Sequence, residues 1–147
     1  MLHIEVTTPE RTVFKDEVDA ATIPTADGEI TVLPGHIPLV SILAPGAIVL
    51  HTKNAERLLA ISSGFIQVEE GNRILILADS ADKAEELDLK KIEAAREQAA
   101  AIMREAAHRE DASFAEAAAM LERESARLHV LRRHRSKGGP TIAVVQE

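Results

Sequence analysis

Six histidines, at positions 3, 36, 51, 108, 129 and 134, could ligate a metal or move a proton. A metal pair on a helix needs i, i+3 or i, i+4 spacing, and none of the six has it. His129 and His134 are five apart and point to different faces. Ser62-Ser63-Gly64 offers hydroxyls beside a glycine, but it reads as a strand end and lacks the GxSxG elbow. There is no GxxxxGK[ST] and no GxGxxG. The absence of Cys removes disulfides, thiolate zinc sites and cysteine nucleophiles together. A hydrolase built on these residues would have neither a nucleophile set nor a metal set.

Two constellations remain. The stretch DGEITVLPGHIPLVSILAPG presents Glu29 and His36 between apolar segments, with glycines and prolines fixing its turns. It reads either as a folded corner or as a docking edge carrying one acid and one titratable group. The other is a basic run, Arg123, Arg127, Arg132, Arg133 and Arg135, in which Arg123 and Arg127 are i, i+4 neighbours. It is either a solvated face, partly offset by Glu122 and Glu124, or a contact for an anion or acidic partner.

The elements that carry these residues divide the chain in two. Its 147 residues are 46% hydrophobic and 28% charged, a folded composition. The net charge of −7 argues against a nucleic-acid binder, and the lack of Trp and Tyr against base-stacking platforms. No Pro occurs between Pro45 and Pro140, and no Gly between Gly71 and Gly138. Residues 1–84 are therefore turn-rich, 85–135 run uninterrupted, and 136–147 form a tail. The first part carries 6 basic against 12 acidic residues, the second 10 against 11. The N-terminus MLHIEVTTPER lacks the pattern of a secretory signal. Residues 30–52 contain no charge over a membrane-span length, but Pro34, Pro38 and Pro45 would break a helix. Two or three short buried strands are expected there.

LHIEVTT and GEITVLPG alternate apolar and polar residues, as strands with one buried face do. AIVLHT, RLLAISSG, FIQVEEG and RILILADS are short and rich in Ile, Leu and Val, and Glu70-Gly71-Asn72 predicts a hairpin turn. Six or more such strands predict a sandwich or barrel. Asp88 is placed to cap a helix whose stripe is Leu89, Ile92, Ala95, Ala99, Ile102 and Ala106. After a polar break at 108–112, Asp111 or Ser113 should cap a second helix. Its apolar face should hold Phe114, Leu121 and Leu128 with Ala117, Ala118 and Leu131. Two narrow Ala-rich stripes bury little area, so the hairpin should be able to come off its own partner, or off the β domain, at modest cost. TIAVV in the tail is either a strand or a loose end.

The order of these features resembles the epsilon subunit of F-type proton-translocating ATP synthases. GEITVLPGHIPLVSILAPG is similar to that family's central stretch and SSGFIQVEEGNRILILADSA to its second block. LDLKKIEAA and LERESARLHV are similar to its two helices, and the likeness runs over about residues 2–133. It implies an α+β chain, a ten-stranded β-sandwich followed by an antiparallel two-helix hairpin. It implies a non-catalytic rotor subunit, peripheral on the cytoplasmic face of the bacterial inner membrane. The sandwich would meet the gamma subunit and the c subunits of the rotor ring, with Glu29 and His36 in the contact. The hairpin would extend toward the alpha and beta subunits and inhibit ATP hydrolysis, with Arg123, Arg127, Arg132 and Arg133 meeting an acidic loop.

Some members of that family bind ATP through [IL]DxxRA and two later arginines. Here the first motif reads Leu87-Asp88-Leu89-Lys90-Lys91-Ile92. Asp88, Arg123 and Arg127 match, while Lys91 replaces Arg and Ile92 replaces Ala. No cofactor is expected, and the other reading, a free-standing ATP-sensing module, turns on this site. Lys presents a mobile point charge where Arg presents a planar fork. One lost charge-assisted bond costs roughly 1.5–3 kcal/mol, about tenfold or more in affinity. ATP should therefore bind the purified chain weakly or not at all in calorimetry, and tight binding would overturn the argument.

Overall fold

The structure, a computed structural model, describes residues 1–107 and 112–136. Ten strands come first: β1 (Leu2–Thr7), β2 (Thr12–Val18), β3 (Ala20–Thr25), β4 (Gly28–Val32), β5 (Leu39–Leu43), β6 (Gly46–Thr52), β7 (Ala55–Ile61), β8 (Gly64–Glu69), β9 (Arg73–Ala78) and β10 (Ala81–Lys83). A single 3-10 turn, Ala84–Glu86, leads into α1 (Leu89–Ala106) and α2 (Ala112–Ser136).

The strands form two five-stranded layers, β4-β3-β6-β7-β10 and β5-β8-β9-β1-β2. They join at one corner, where Thr25 of β3 pairs with Leu43 of β5. Beside it the Ala26 N–H donates to the Ile42 carbonyl at 2.9 Å and the Ala44 N–H to the Pro24 carbonyl at 3.1 Å. All pairings are antiparallel except β1 with β9. Alternation sends Leu2, Ile4 and Val6 of β1 and Ile74 and Ile76 of β9 inward. They meet Ile23, Ile48, Leu50, Leu59 and Ile61 of the other layer in one core, to which no helix residue contributes among the described residues.

The Gly71-Asn72 turn is as the sequence predicts. Both residues have positive φ, 82° and 62°, which closes the three-residue loop Glu70 to Asn72 between the paired Glu69 and Arg73. Three strands lack a clear signature. β2 breaks alternation, and its pairing with β1 shifts register between Val6 and Thr7. β3 contains Pro24, and β10 has three residues. The expectation of buried strands over residues 30–52 needs correction. Val32, Leu43 and Ala47 to Leu50 are buried, but Leu33, Ile37, Val40 and Ile42 are exposed. A lack of charge there reflects a surface with apolar side chains as well as a core.

In the hairpin, Asp88 caps α1 as expected, accepting from the Lys90 and Lys91 N–H groups at 3.0 and 3.4 Å. The predicted α1 stripe holds, with Ile92, Ala99 and Ala106 buried and Leu89, Ala95 and Ile102 half-buried. For α2 the expectation is partly wrong. Ser113 lies inside the helix and is not its cap, and Asp111, with most of the polar break, lies outside the described residues. Phe114 is 40% exposed, whereas Glu124, Ala126 and Val130 are buried. One heptad stripe fails because α2 packs on two sides at once. Leu128 and Leu131 meet Ile92 of α1, while Val130 faces the sandwich. The TIAVV segment also lies outside the described residues.

Gly64 shows how tightly β8 and β9 are joined. A Cβ there would overlap the Leu77 carbonyl oxygen and stand 2.7 Å from Ala78 Cα, both backbone atoms. Gly64→Ala should destabilise the fold by about 2–3 kcal/mol, the scale of overpacking. Urea unfolding would read this as a lowered midpoint.

Candidate docking and regulatory site

The outer face of β6 and β7 carries Ala47, Val49, Leu58 and Ala60, all buried although they point away from the sandwich core. Their cover is Val130 of α2, with Ala84 of the 3-10 turn and Leu87. Leu87 also packs with Ile92, Leu128 and Leu131, so this linker residue joins the sandwich-facing and helix-facing clusters.

The predicted arginines fall in different settings. Arg127 Nε donates to Asp82 Oδ2 of β10 at 2.7 Å, and its Nη1 donates to Glu124. Arg123 Nε donates to the same Glu124 carboxylate at 3.1 Å. Glu124 is 3% exposed, a buried charge satisfied from two sides. Arg132 is exposed. Arg133 lines a cleft of about 500 Å³ between α2 and the sandwich, together with Glu122 and His129 of its own helix. Glu29 lines the far wall, beside Pro24 and Pro45.

Glu29 stands at the start of β4, exposed, opposite Pro24. His36 follows β4, so the length of a strand separates the two residues. β4 is an edge strand paired only with β3 among the described residues, and both residues belong to that edge and its continuation. The His36 N–H closes a turn onto the Leu33 carbonyl at 3.1 Å, and its Nδ1 lies 2.6 Å from the Ile37 carbonyl oxygen. Asn72 braces this loop from the β8–β9 turn. Its Oδ1 accepts from the Gly35 N–H at 2.7 Å, while its own carbonyl accepts from the His3 N–H at 2.8 Å.

The second layer has an open apolar face. Ile42, Phe65 and Leu77 form one row across β5, β8 and β9, with exposures of 56%, 57% and 48%. Val40 belongs to the next row, and Leu33 and Ile37 extend the patch into the loop. Contiguous exposed apolar rows of this kind mark protein contacts. Toward β1 and β2 the layer becomes charged, with His3, Lys15 and Glu17 joined by Glu69 and Arg73 at the ends of β8 and β9.

The four residues of the ATP motif are engaged internally or at the surface. Asp88 caps its helix, Arg123 and Arg127 hold Glu124, and Lys91 is exposed. Ile92 fills the seam between the helices at 3% exposure. Replacing it with Ala would open a cavity and loosen the hairpin, so Lys91→Arg alone is the cleaner probe of nucleotide binding. Sequence reasoning missed Asp82 and the burial of Glu124. The available signal was the continuous apolar runs AIVL and LLAI, which demand cover on both faces.

Among the described residues no group of His, Asp or Glu could hold a metal ion, and no helix is long and apolar enough to cross a membrane. The molecule is thus a sandwich with a docked helical hairpin, built around contact surfaces. The beta-sandwich domain of the ATP synthase delta/epsilon chain matches residues 1–84. The ATP synthase epsilon chain of Chloroflexus aggregans is 42% identical over 137 residues, covering 92% of this chain and 96% of its own. That of Herpetosiphon aurantiacus is 38% identical, covering 92% and 98%. A chain in the Euglena gracilis mitochondrial ATP synthase structure (OSCP, F1 and c-ring) superposes with a TM-score of 0.72 at 29% identity, covering 84% of this chain and 77% of its own. The chain belongs to the ATP synthase epsilon family.

Asn72→Gly keeps the turn's positive φ but removes the brace on Gly35. The Gly35 amide should then exchange with solvent several-fold faster, as loss of one hydrogen bond worth about 0.5–1.5 kcal/mol implies. Hydrogen exchange by NMR, with the Ile66 amide as internal control, checks this.

Proposed function

We propose that this chain is a non-catalytic central-stalk subunit that helps couple proton flow to ATP synthesis and restrains ATP hydrolysis through a mobile hairpin. Its partners are the gamma stalk subunit, the c subunits of the rotor ring, and the alpha and beta subunits of the head. It sits peripherally, on the cytoplasmic face of the membrane, through that complex. The observation that carries the reading is the division of surfaces. One layer keeps an apolar face open, whereas the other hides its apolar face under α2. The open Ile42-Phe65-Leu77 row suits a stalk partner, and the β4 edge with Glu29, continued by the His36 loop, suits the rotor ring. α2 covers the sandwich with few large side chains, so the hairpin can be released and its face re-used.

Release is also what the arginines require. Arg127 is tied to Asp82 of the sandwich while the hairpin is docked, whereas its bond and that of Arg123 to Glu124 lie within α2. Only an undocked α2 offers Arg123, Arg127, Arg132 and Arg133 together to an acidic loop of the head.

Deleting residues 86–147 leaves the sandwich core whole, because that core is made by residues before the deletion. The rebuilt synthase should assemble, couple protons and hydrolyse ATP at least as fast as the parent. Failure to assemble would sink this reading. In the full chain, the four arginines changed together to Ala should relieve inhibition. Single changes should be mild, since exposed pairs contribute about 0.2–1 kcal/mol each. Inhibition of the parent should weaken with salt, because screening acts over ~8–10 Å near physiological ionic strength. ATPase assays at low and high salt read both effects.

A further inference from the structure

The docked hairpin meets the sandwich through β6, β7 and the 3-10 turn. Val130 of α2 is wholly buried in the apolar part of that contact, set among Ala47, Val49, Leu58, Ala60 and Ala84, with Ala126 close to Ala47 in the adjoining cleft. The charged part is stronger in kind. Arg127 crosses from α2 to Asp82 of β10, and both side chains are 24% exposed, less than ordinary surface pairs. On its other side Arg127 is held by Glu124 of its own helix, which is almost wholly buried.

We infer that Asp82, Arg127 and Glu124 form a charge latch that holds the hairpin on the sandwich, with Glu124 as the positioning residue that aims Arg127 at Asp82. The inference rests on the proposal that the hairpin moves, and it names what governs that movement. The asymmetry of the cluster is what makes it a latch. Glu124 and Arg127 are i, i+3 neighbours on α2 and leave together when the helix undocks. The Asp82–Arg127 bond spans the two parts, and both of its side chains are partly exposed, so opening it leaves two charges that water can reach. An ion pair spread equally across the interface would strand its charges and hold the state shut. Arg123, the second donor to Glu124, also travels with the helix and keeps the carboxylate neutralised in the open state.

The chain has no Cys, so a dye pair can be placed at will. Asp27→Cys on the β3–β4 turn and Glu105→Cys near the end of α1 are both exposed and take no part in the latch. Energy transfer between the dyes in the isolated full-length chain reads the closed-to-open ratio, with far-UV circular dichroism recorded on the same samples. Asp82→Asn and Arg127→Ala should each lower that ratio by roughly tenfold, the loss of one charge-assisted bond. Glu124→Gln should lower it several-fold while leaving Asp82 and Arg127 in place. Helical content should stay at the parental level throughout. In a Glu124→Gln background, Arg127→Glu should open the hairpin and added Asp82→Lys should close it again. Unchanged transfer in Arg127→Ala, loss of helical signal in place of opening, or no recovery in the charge swap would each overturn the latch. These readouts need no synthase, so a latch that works in a chain that fails to inhibit would refute the proposed function alone.

Discussion

Everything in this molecule follows from a strand pair buried on both faces. β6 and β7 turn Ile48, Leu50, Leu59 and Ile61 into the sandwich core and Ala47, Val49, Leu58 and Ala60 outward. An outward apolar face on a sheet in water needs a cover. The chain supplies one 70 residues later in Val130, through a helix that must also satisfy α1. That double demand explains why α2 follows no single stripe and why Leu87, at the joint, packs into both clusters.

Three of the side chains in this contact are alanines, which has a consequence for energetics. Ala47, Ala60 and Ala84 let the helix come close but bury little area each, and hydrophobic stabilisation scales with that area. The contact is therefore supplemented by charge, at Asp82 and Arg127, and by a buried acid that keeps Arg127 in place. The cover and the core are distinct, since among the described residues the core contains no helix residue.

The opposite layer is arranged differently. Its outer face exposes Ile42, Phe65 and Leu77, aligned by strand register and not by sequence proximity. Asn72 ties the β8–β9 turn to the loop that carries His36, so this layer and the β4 edge meet at a braced corner. One sandwich thus offers a closed face, an open face and an edge.

Local rules settled much of this from the sequence. Alternation marks β1 and β4, Gly71-Asn72 can only be a tight turn, Asp88 can only be a cap, and the α1 stripe needs no partner to be read. The absence of Cys and of nucleotide-binding loops excluded whole classes of chemistry, and motif order pointed to the family. Tertiary structure decided what depends on two distant segments meeting. β2 and β10 are strands because neighbours pair with them, and the charge-free stretch after Ile30 is half surface because register turns Val40 and Ile42 outward. Phe114 is exposed and Val130 buried because the sandwich, and not helical periodicity, chooses the face of α2. Glu124 looks like any helical acid in the sequence. It becomes a buried anchor only when Asp82, 42 positions earlier, is brought to the same arginine by the fold.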